Sequence, residues 1–483
     1  MSVEKIIRAQ NGQTTVLAGM KYLHSRYNPC AEAERFVDAL EITPLHQYYI
    51  LIECGLGYII PLLHAKNPDA KIISLHVSDF FTLEKISVFD CAGSEFCTQW
   101  SPSSGSLKEF LEKHIPDTGA KHIKIIEWRP AMDIYPAEYV RIIRETNIYI
   151  KRIDANKRTV HNFGWRWFLN TVRNIGRFSK VAIPQKIYAD CIVCGAGPSL
   201  EKDIPGLRRI LYSKKYRPFL VAVSSSLSAL SSGGIMPDMV VTSDGGNWAL
   251  FHLYEYIRNT PRQIPLACCL NAALPSYISQ FYTLPIALNN FHAALLQSAK
   301  IPFVQIMARG TVSATALDLA LFLTSGNIYT TGIDLRIDDV KIHARPYALD
   351  VFSYQKTNRF SPWYGQNFEH ARAIQDGGSF NIYSDWFEEF YREHSQRIFS
   401  FSQAYVPRNE TDKAHINWHI HHIPRSLNAA ECVSILIDFI QNKNDAAIQQ
   451  EISELIFDDG KIHTVEEIAH KAYDMSGIHK AHI

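Results

Sequence analysis

A short apolar run, CIVC, passes directly into Gly195-Ala196-Gly197-Pro198-Ser199-Leu200. Glycines in such a turn let a backbone approach a ligand closely, Pro198 suits the first turn of a helix, and the unpaired N–H groups at a helix start attract an anion. A nucleotide phosphate fits this pattern, and so does a plain strand-to-helix turn capped by Ser199. The next apolar run ends in Ser224, Ser225 and Ser226, and the one after it in Ser243, Asp244, Gly245 and Gly246. Hydroxyls and a carboxylate at these positions would read a ribose and a base, while Asp244 could instead hold a metal or close a turn. Further on, Gly310-Thr311-Val312-Ser313-Ala314-Thr315 opens a second helix with a hydroxyl-rich start, and Asp334 and Tyr347 follow the last clear strand.

The elements that must position these residues alternate regularly. Strand readings at 190–194, 219–223, 239–242, 265–269 and 328–331 are separated by helical stretches. That alternation predicts an α/β domain with a largely parallel sheet covered on both faces, with all the polar strand ends at one carboxyl edge. Upstream, strand readings at 49–53 and 71–76 flank a CGLG turn and an apolar helix, a βαβ start. This turn lacks the third glycine and the acidic residue of a dinucleotide fingerprint, so the N-terminal domain is expected to be Rossmann-like in architecture rather than by ligand. Residues 156–177 space their apolar side chains as an amphipathic helix with Trp165, Phe168, Leu169 and Val172 inward. The expected divisions are an N-terminal domain over 1–154, a central nucleotide-sugar domain over 155–390 and a small, mostly helical C-terminal domain over 391–483.

Composition narrows the function classes. Across 483 residues, 49 Lys and Arg nearly cancel 48 Asp and Glu, leaving no bulk positive field for a nucleic acid. The richest apolar run, 48–63, is broken by Glu53, Gly55, Gly57 and Pro61, and the first residues lack a signal-peptide core, so a cytoplasmic protein without membrane attachment is expected. Cys191 and Cys194 form the one CxxC pair, and strand alternation sends them to opposite faces. The histidines of HINWHIHHIP, at 415, 419, 421 and 422, read as exposed groups on an edge strand rather than a metal site.

The order GAGPSL, SSSLSALSSGGIMPDMVVTSDGG, GTVSATALDLALFLTSGNIYTTGIDL and YALD resembles the central domain of the motility accessory factor (Maf) family, glycosyltransferases of flagellin. LHSRYNP, ECGLGYIIPLL and FGWRWFLNTVRN are similar to that family's N-terminal domain and linker. The same central motifs are similar, more distantly, to bacterial sialyltransferases that use CMP-sialic acid. The resemblance implies transfer of a pseudaminic- or legionaminic-type nonulosonic acid from its CMP-activated donor to flagellin, without a metal or other cofactor. It places Gly195, Gly197, Pro198 and Ser199 against the CMP phosphate region and Thr311 at a second phosphate-facing helix. It puts Asp244 and Asp334 around the nucleotide, where the strand-end reading also puts Ser224 and Ser225. It makes Tyr347 a tyrosine that steadies the leaving phosphate, with Arg336 in the place of a second such tyrosine. His370 is the nearest candidate for the base, and His343 is its rival.

The central domain also resembles archaeal-type 6-hydroxymethylpterin diphosphokinases, in which Asp244 and Asp334 would hold Mg²⁺ for ATP. A flagellin-binding scaffold without catalysis is the reading from a non-enzyme class.

Overall fold

The computed structural model describes residues 4–81, 96–115, 122–185, 189–213, 216–259, 261, 264–376, 379–405, 418–423, 427, 429–443, 446–457 and 463–476. It divides into two compact units, Met1–Val160 and His161–Ile483. Among the described residues no helix is long and apolar enough to cross a membrane.

The first unit opens with a three-stranded antiparallel sheet of β1 (Glu4–Arg8), β2 (Thr14–Ala18) and β3 (Lys21–Tyr22). A second sheet has the order β6-β5-β4-β7, all parallel, from β4 (Tyr48–Ile52), β5 (Lys71–Leu75), β6 (Cys97–Trp100) and β7 (Ile123–Glu127). β4 is buried at every position, as an unbroken apolar run covered on both faces should be. The βαβ start read from the sequence is therefore present, with its strands within one residue of the expected bounds.

The helix expected over 156–177 is the end of a much longer one, Pro136–Ile175. Its residues through Val160 belong to the first unit and those from His161 to the second. Phe168, Leu169 and Val172 are buried as expected, but Trp165 is 47% exposed. Trp165 stands three and four positions from Phe168 and Leu169, at the margin of the apolar stripe, where the 3.6-residue period had included it.

The second unit is built on a ten-stranded sheet. Its path is β16-β15-β9-β10-β11-β12-β13-β8-β17, with the two-residue β14 (Val304–Gln305) paired to β13. The strands are β8 (Lys180–Pro184), β9 (Cys191–Cys194), β10 (Phe219–Val223), β11 (Met239–Thr242), β12 (Leu266–Cys269), β13 (Thr283–Ala287), β15 (Ile328–Thr331), β16 (Ile398–Ser400) and β17 (Trp418–His422). All pairings are parallel except that of β17 with β8. The five strands read from the sequence are β9, β10, β11, β12 and β15, and the fold is α/β as expected. Cys191 and Cys194 are both buried in β9.

β16 and β17, which follow the expected division at residue 390, close the two edges of this sheet. The helices Ala429–Lys443, Ala446–Ile456 and Val465–Ser476 bury Val433, Leu436, Ile452 and Ile468 in the same hydrophobic core as the central strands. His419, His421 and His422 lie on the edge strand β17, and all three are exposed. His415 lies outside the described residues.

Candidate functional site

β9 runs in the middle of the second sheet with β10 to β13 on one side and β15 on the other. The chain after β9 and the chain after β15 therefore leave neighbouring strands in different directions, which makes their carboxyl ends the switch point where open α/β sheets take ligands. Here those two segments grip each other. Gly195 N–H donates to Thr331 O at 2.8 Å and Gly197 N–H to Gly332 O at 2.7 Å. Ser199 N–H, at the start of the helix Ser199–Leu211, donates to Asp334 Oδ2 at 2.7 Å, and Gly332 N–H donates to Ser199 Oγ at 3.2 Å. Asp334 thus supplies the negative charge that this helix start attracts.

The glycines follow from the same contact. A methyl group on Gly197 would stand 2.5 Å from Asp334 Oδ2 and 2.9 Å from Gly332 O, and one on Gly195 would run into the Gly332 carbonyl. The close approach that the turn permits is, in this structure, an approach to the chain's own loop. Pro198 is the residue just before the helix, and the serine cap expected of Ser199 is replaced by the Asp334 carboxylate from a distant segment.

The segment after Asp334 continues across the turn. Ala344 N–H donates to Ala196 O at 2.8 Å, and Arg345 N–H donates to Glu201 Oε1 at 2.8 Å. Lys341 Nζ pairs with Glu201 Oε2 at 2.8 Å. The Arg345 guanidinium pairs with Asp350, donates to Asn367 Oδ1 at 2.8 Å and lies 5.0 Å over the Trp363 ring. Asp350 also accepts the Tyr347 N–H at 3.0 Å. The three-residue spacing in YALD is thereby explained, since the aspartate fixes the backbone that presents the tyrosine.

Tyr347 reaches the next part of the carboxyl edge. Its hydroxyl lies 3.3 Å from Nε2 of His252, on the helix Ala249–Asn259 that follows β11 and Asp244. His343 stacks on the Tyr347 ring, centroids 4.2 Å apart and planes at 3°. Burial raises the Tyr347 pKa, with the Asp244 charge adding to it and Arg345 opposing it, so the phenol keeps its proton at neutral pH. Burial lowers the His252 pKa against the opposing pull of Asp244. His343 is likewise held neutral, chiefly by desolvation, with His252, Arg345 and His370 adding to it.

The remaining expected residues fall at the same edge or near it. Asp244 is exposed, and its Oδ1 accepts the Gly246 N–H at 2.7 Å. Ser224 is buried and donates to Thr242 Oγ1 at 3.4 Å, whereas Ser225 is half-buried. Thr311 caps the helix Val312–Leu323 by accepting the Ala314 N–H at 3.1 Å. Arg336 and His370 are exposed. The structure thus joins Gly195, Gly197, Ser199 and Asp334 in one contact set and Tyr347 with His252 and His343 in another, within reach of the Asp244 charge, and the 334–347 segment links the two.

The chain is similar to known proteins in part of its sequence and in its fold. Residues 168–340 match the family described as 6-hydroxymethylpterin diphosphokinase MptE-like. The MptE-like segment includes the glycine turn, Asp244, Thr311 and Asp334 and ends before Tyr347. Over the whole chain the fold resembles that of a solved Maf glycosyltransferase from Magnetospirillum magneticum AMB-1, with a TM-score of 0.52 and 12% identity over 98% of this chain and 86% of that one. An uncharacterized protein of Treponema pallidum (strain Nichols) is 30% identical over 308 residues, 62% of this chain, and the chain spans 65% of that relative's length. A second uncharacterized treponemal protein is 23% identical over 211 residues, 41% of this chain and 70% of its own length.

His252 carried no signal of its own in the sequence, because only the fold brings it to Tyr347. A second group missed by the sequence reading lies on the long helix. Asn170 donates to the carbonyls of Gly245 and Asn271, both at 3.1 Å, and Asn174 to those of Leu270 and Ala272 at 2.9 and 2.7 Å. Arg177 donates to Leu274 O at 2.5 Å. Asn170 and Asn174 lie one turn apart on the long helix and Arg177 just past its end, and together they tie down the loops after β11 and β12 beside Asp244.

Proposed function

We propose that the chain is a glycosyltransferase that moves a pseudaminic- or legionaminic-type nonulosonic acid from its CMP-activated form to serine or threonine of flagellin, a step needed for flagellar assembly and motility. The observation that carries this reading is a protonated, firmly seated phenol, Tyr347, held over the carboxyl edge of a parallel sheet beside Asp244 and the glycine turn. The likeness of the whole chain to the fold of a Maf glycosyltransferase supports it. In this reaction the bond from the sugar's anomeric carbon to the CMP phosphate oxygen breaks, the acceptor hydroxyl bonds to that carbon, and its proton passes to a base. Tyr347 and Arg336 stabilise the departing phosphate, Ser225 and Asp244 read the nucleoside, and His370 is the base. His343 is less suited to that role, because desolvation depresses its basicity. No metal or other cofactor enters, and the acceptor is gripped outside the pocket, by the N-terminal and C-terminal regions, in the cytoplasm.

The MptE-like match favours a second reading, diphosphoryl transfer from ATP with Mg²⁺. The residues fit it less well. Asp334 is committed to the Ser199 N–H, and among the described residues no three ligating side chains gather around Asp334 or Asp244. A thermal shift separates the readings: CMP at about 100 times its Kd should stabilise the protein by ~2.7 kcal/mol in the presence of EDTA. Stabilisation seen with ATP and Mg²⁺ but not with CMP would overturn the glycosyltransferase reading.

A further inference from the structure

His252 is 7% exposed and lies on the helix Ala249–Asn259, one turn beyond its start. Its Nε2 faces the Tyr347 hydroxyl at 3.3 Å, and the two rings are 5.1 Å apart at 41°. Its Nδ1 is buried without a hydrogen-bond partner among the described residues. A neutral imidazole carries one proton, so two arrangements compete. With the proton on Nδ1, a buried N–H is orphaned and Nε2 consumes the phenol hydrogen as acceptor. With the proton on Nε2, the orphan is an acceptor lone pair, and the phenol oxygen accepts from Nε2–H. Orphaned buried N–H groups are the rarer of the two, and leaving a donor unmade costs its full desolvation.

We propose that His252 is a positioning residue for Tyr347: it carries its proton on Nε2, donates to the phenol oxygen, and thereby turns the Tyr347 O–H outward as a donor to the ligand. The rest of the surroundings agree. His343 covers one face of the phenol ring in parallel stacking, and Asp350 holds the Tyr347 backbone N–H, so ring and main chain are fixed and the hydroxyl torsion is what remains to be set. His252 sets it. The role as donor to a departing phosphate rests on the proposed glycosyltransferase reading, whereas the His252–Tyr347 arrangement itself does not.

Two measurements on the full-length protein test this separately. In ¹⁵N-histidine NMR of the ligand-free protein, the signal that disappears in H252Q should show the Nε2–H tautomer, and it should shift in Y347F. An Nδ1–H tautomer overturns the proposal whatever the reaction is. In single-turnover cleavage of CMP-pseudaminic acid, H252F should lose about 10- to 100-fold, the loss expected when a reacting donor is misplaced. H252Q, whose amide N–H can reach the same oxygen, should recover most of it, and H252F/Y347F should be no slower than Y347F alone. Losses that multiply in the double variant, or an H252F protein as fast as wild type, overturn the assignment. A wild-type protein that neither binds CMP nor cleaves the donor removes the nucleotide-sugar reading and leaves the tautomer measurement to decide for His252.

Discussion

Replacing Gly197 by alanine tests what the glycine turn is for. The added methyl would stand 2.5 Å from Asp334 Oδ2 and 2.9 Å from the Gly332 carbonyl, so the carboxylate must swing away from Ser199 N–H. Losing a hydrogen bond to a charged acceptor costs ~1.5–3 kcal/mol, and the backbone contact adds strain of ~1 kcal/mol or more. A loss of about 2.5–4 kcal/mol follows. Gly195→Ala should cost more, because its methyl meets the Gly332 carbonyl and carbon, which are main chain and cannot turn aside. Gly206→Ala is the internal control: it lies inside the helix Ser199–Leu211, its methyl would meet Phe401 at an ordinary 3.5 Å, and alanine in a helix interior gains ~0.5–1 kcal/mol over glycine. Urea unfolding followed by tryptophan fluorescence, with CMP titration of each folded variant, gives both readouts. The expected order of stability is Gly206→Ala, wild type, Gly197→Ala, Gly195→Ala. A Gly197→Ala protein as stable as wild type that no longer binds CMP would refute the loop-packing argument and return the turn to direct phosphate contact.

Acid should destabilise both units through buried neutral histidines. His24 and His292 have their pKa values pushed down to about 3 by burial, and His24 Nε2 accepts the Leu56 N–H at 2.9 Å, a bond that protonation would abolish. The unfolded chain takes up these protons near its usual value of 6.5 and the folded chain does not, so stability is intact above that pH and falls as pH drops toward 3. Unfolding free energies at pH 7 and pH 5 should differ by ~2 kcal/mol per histidine, and a flat wild-type profile, or a slope left unchanged in H24F and H292F, would contradict the assignment. Asn174→Ala leaves the carbonyls of Leu270 and Ala272 without that donor, and should cost ~2–4 kcal/mol in urea unfolding. A loss below ~0.5 kcal/mol would show that the helix face does not hold those loops.

What could be read from the sequence followed from local pattern. β9 to β12 and β15 were legible because each is a short apolar run bounded by turn residues, and fully buried parallel strands need no alternation. The start of the long helix was not, since residues 136–155 carry charge on several sides and the apolar stripe shows clearly only where Phe168 and Val172 enter the core. β16 and β17 were hidden for another reason. A strand at the edge of a sheet is specified by its partner, and the partners of these two lie 70 or more residues away in sequence. In the site, the motifs were legible and their mutual contacts were not. GAGPSL reads as a phosphate turn until Asp334, 135 residues on, is found to occupy the helix start.

The two glycine turns of this chain show how far such a motif carries a functional argument. Each follows a buried central strand of a parallel sheet, and each is filled by the chain's own groups. In the first unit Gly55 N–H donates to Glu53 Oε1 at 2.8 Å, Leu56 N–H donates to His24 Nε2, and a methyl on Gly55 would collide with His24. Glu53, Cys54 and Leu56 there are at most 1% exposed, and Trp128 and Tyr58 pack against the His24 ring. That turn is packed inside a core by the chain's own groups. In the second unit the occupant is a carboxylate from a segment that goes on to present Tyr347, with Asp244 exposed after β11, two strands along the sheet, and Arg336 exposed on the segment itself. What distinguishes the candidate site is therefore the polar groups left facing outward beside its glycines. The second unit has such groups at the carboxyl edge, and this is where we propose the chemistry takes place.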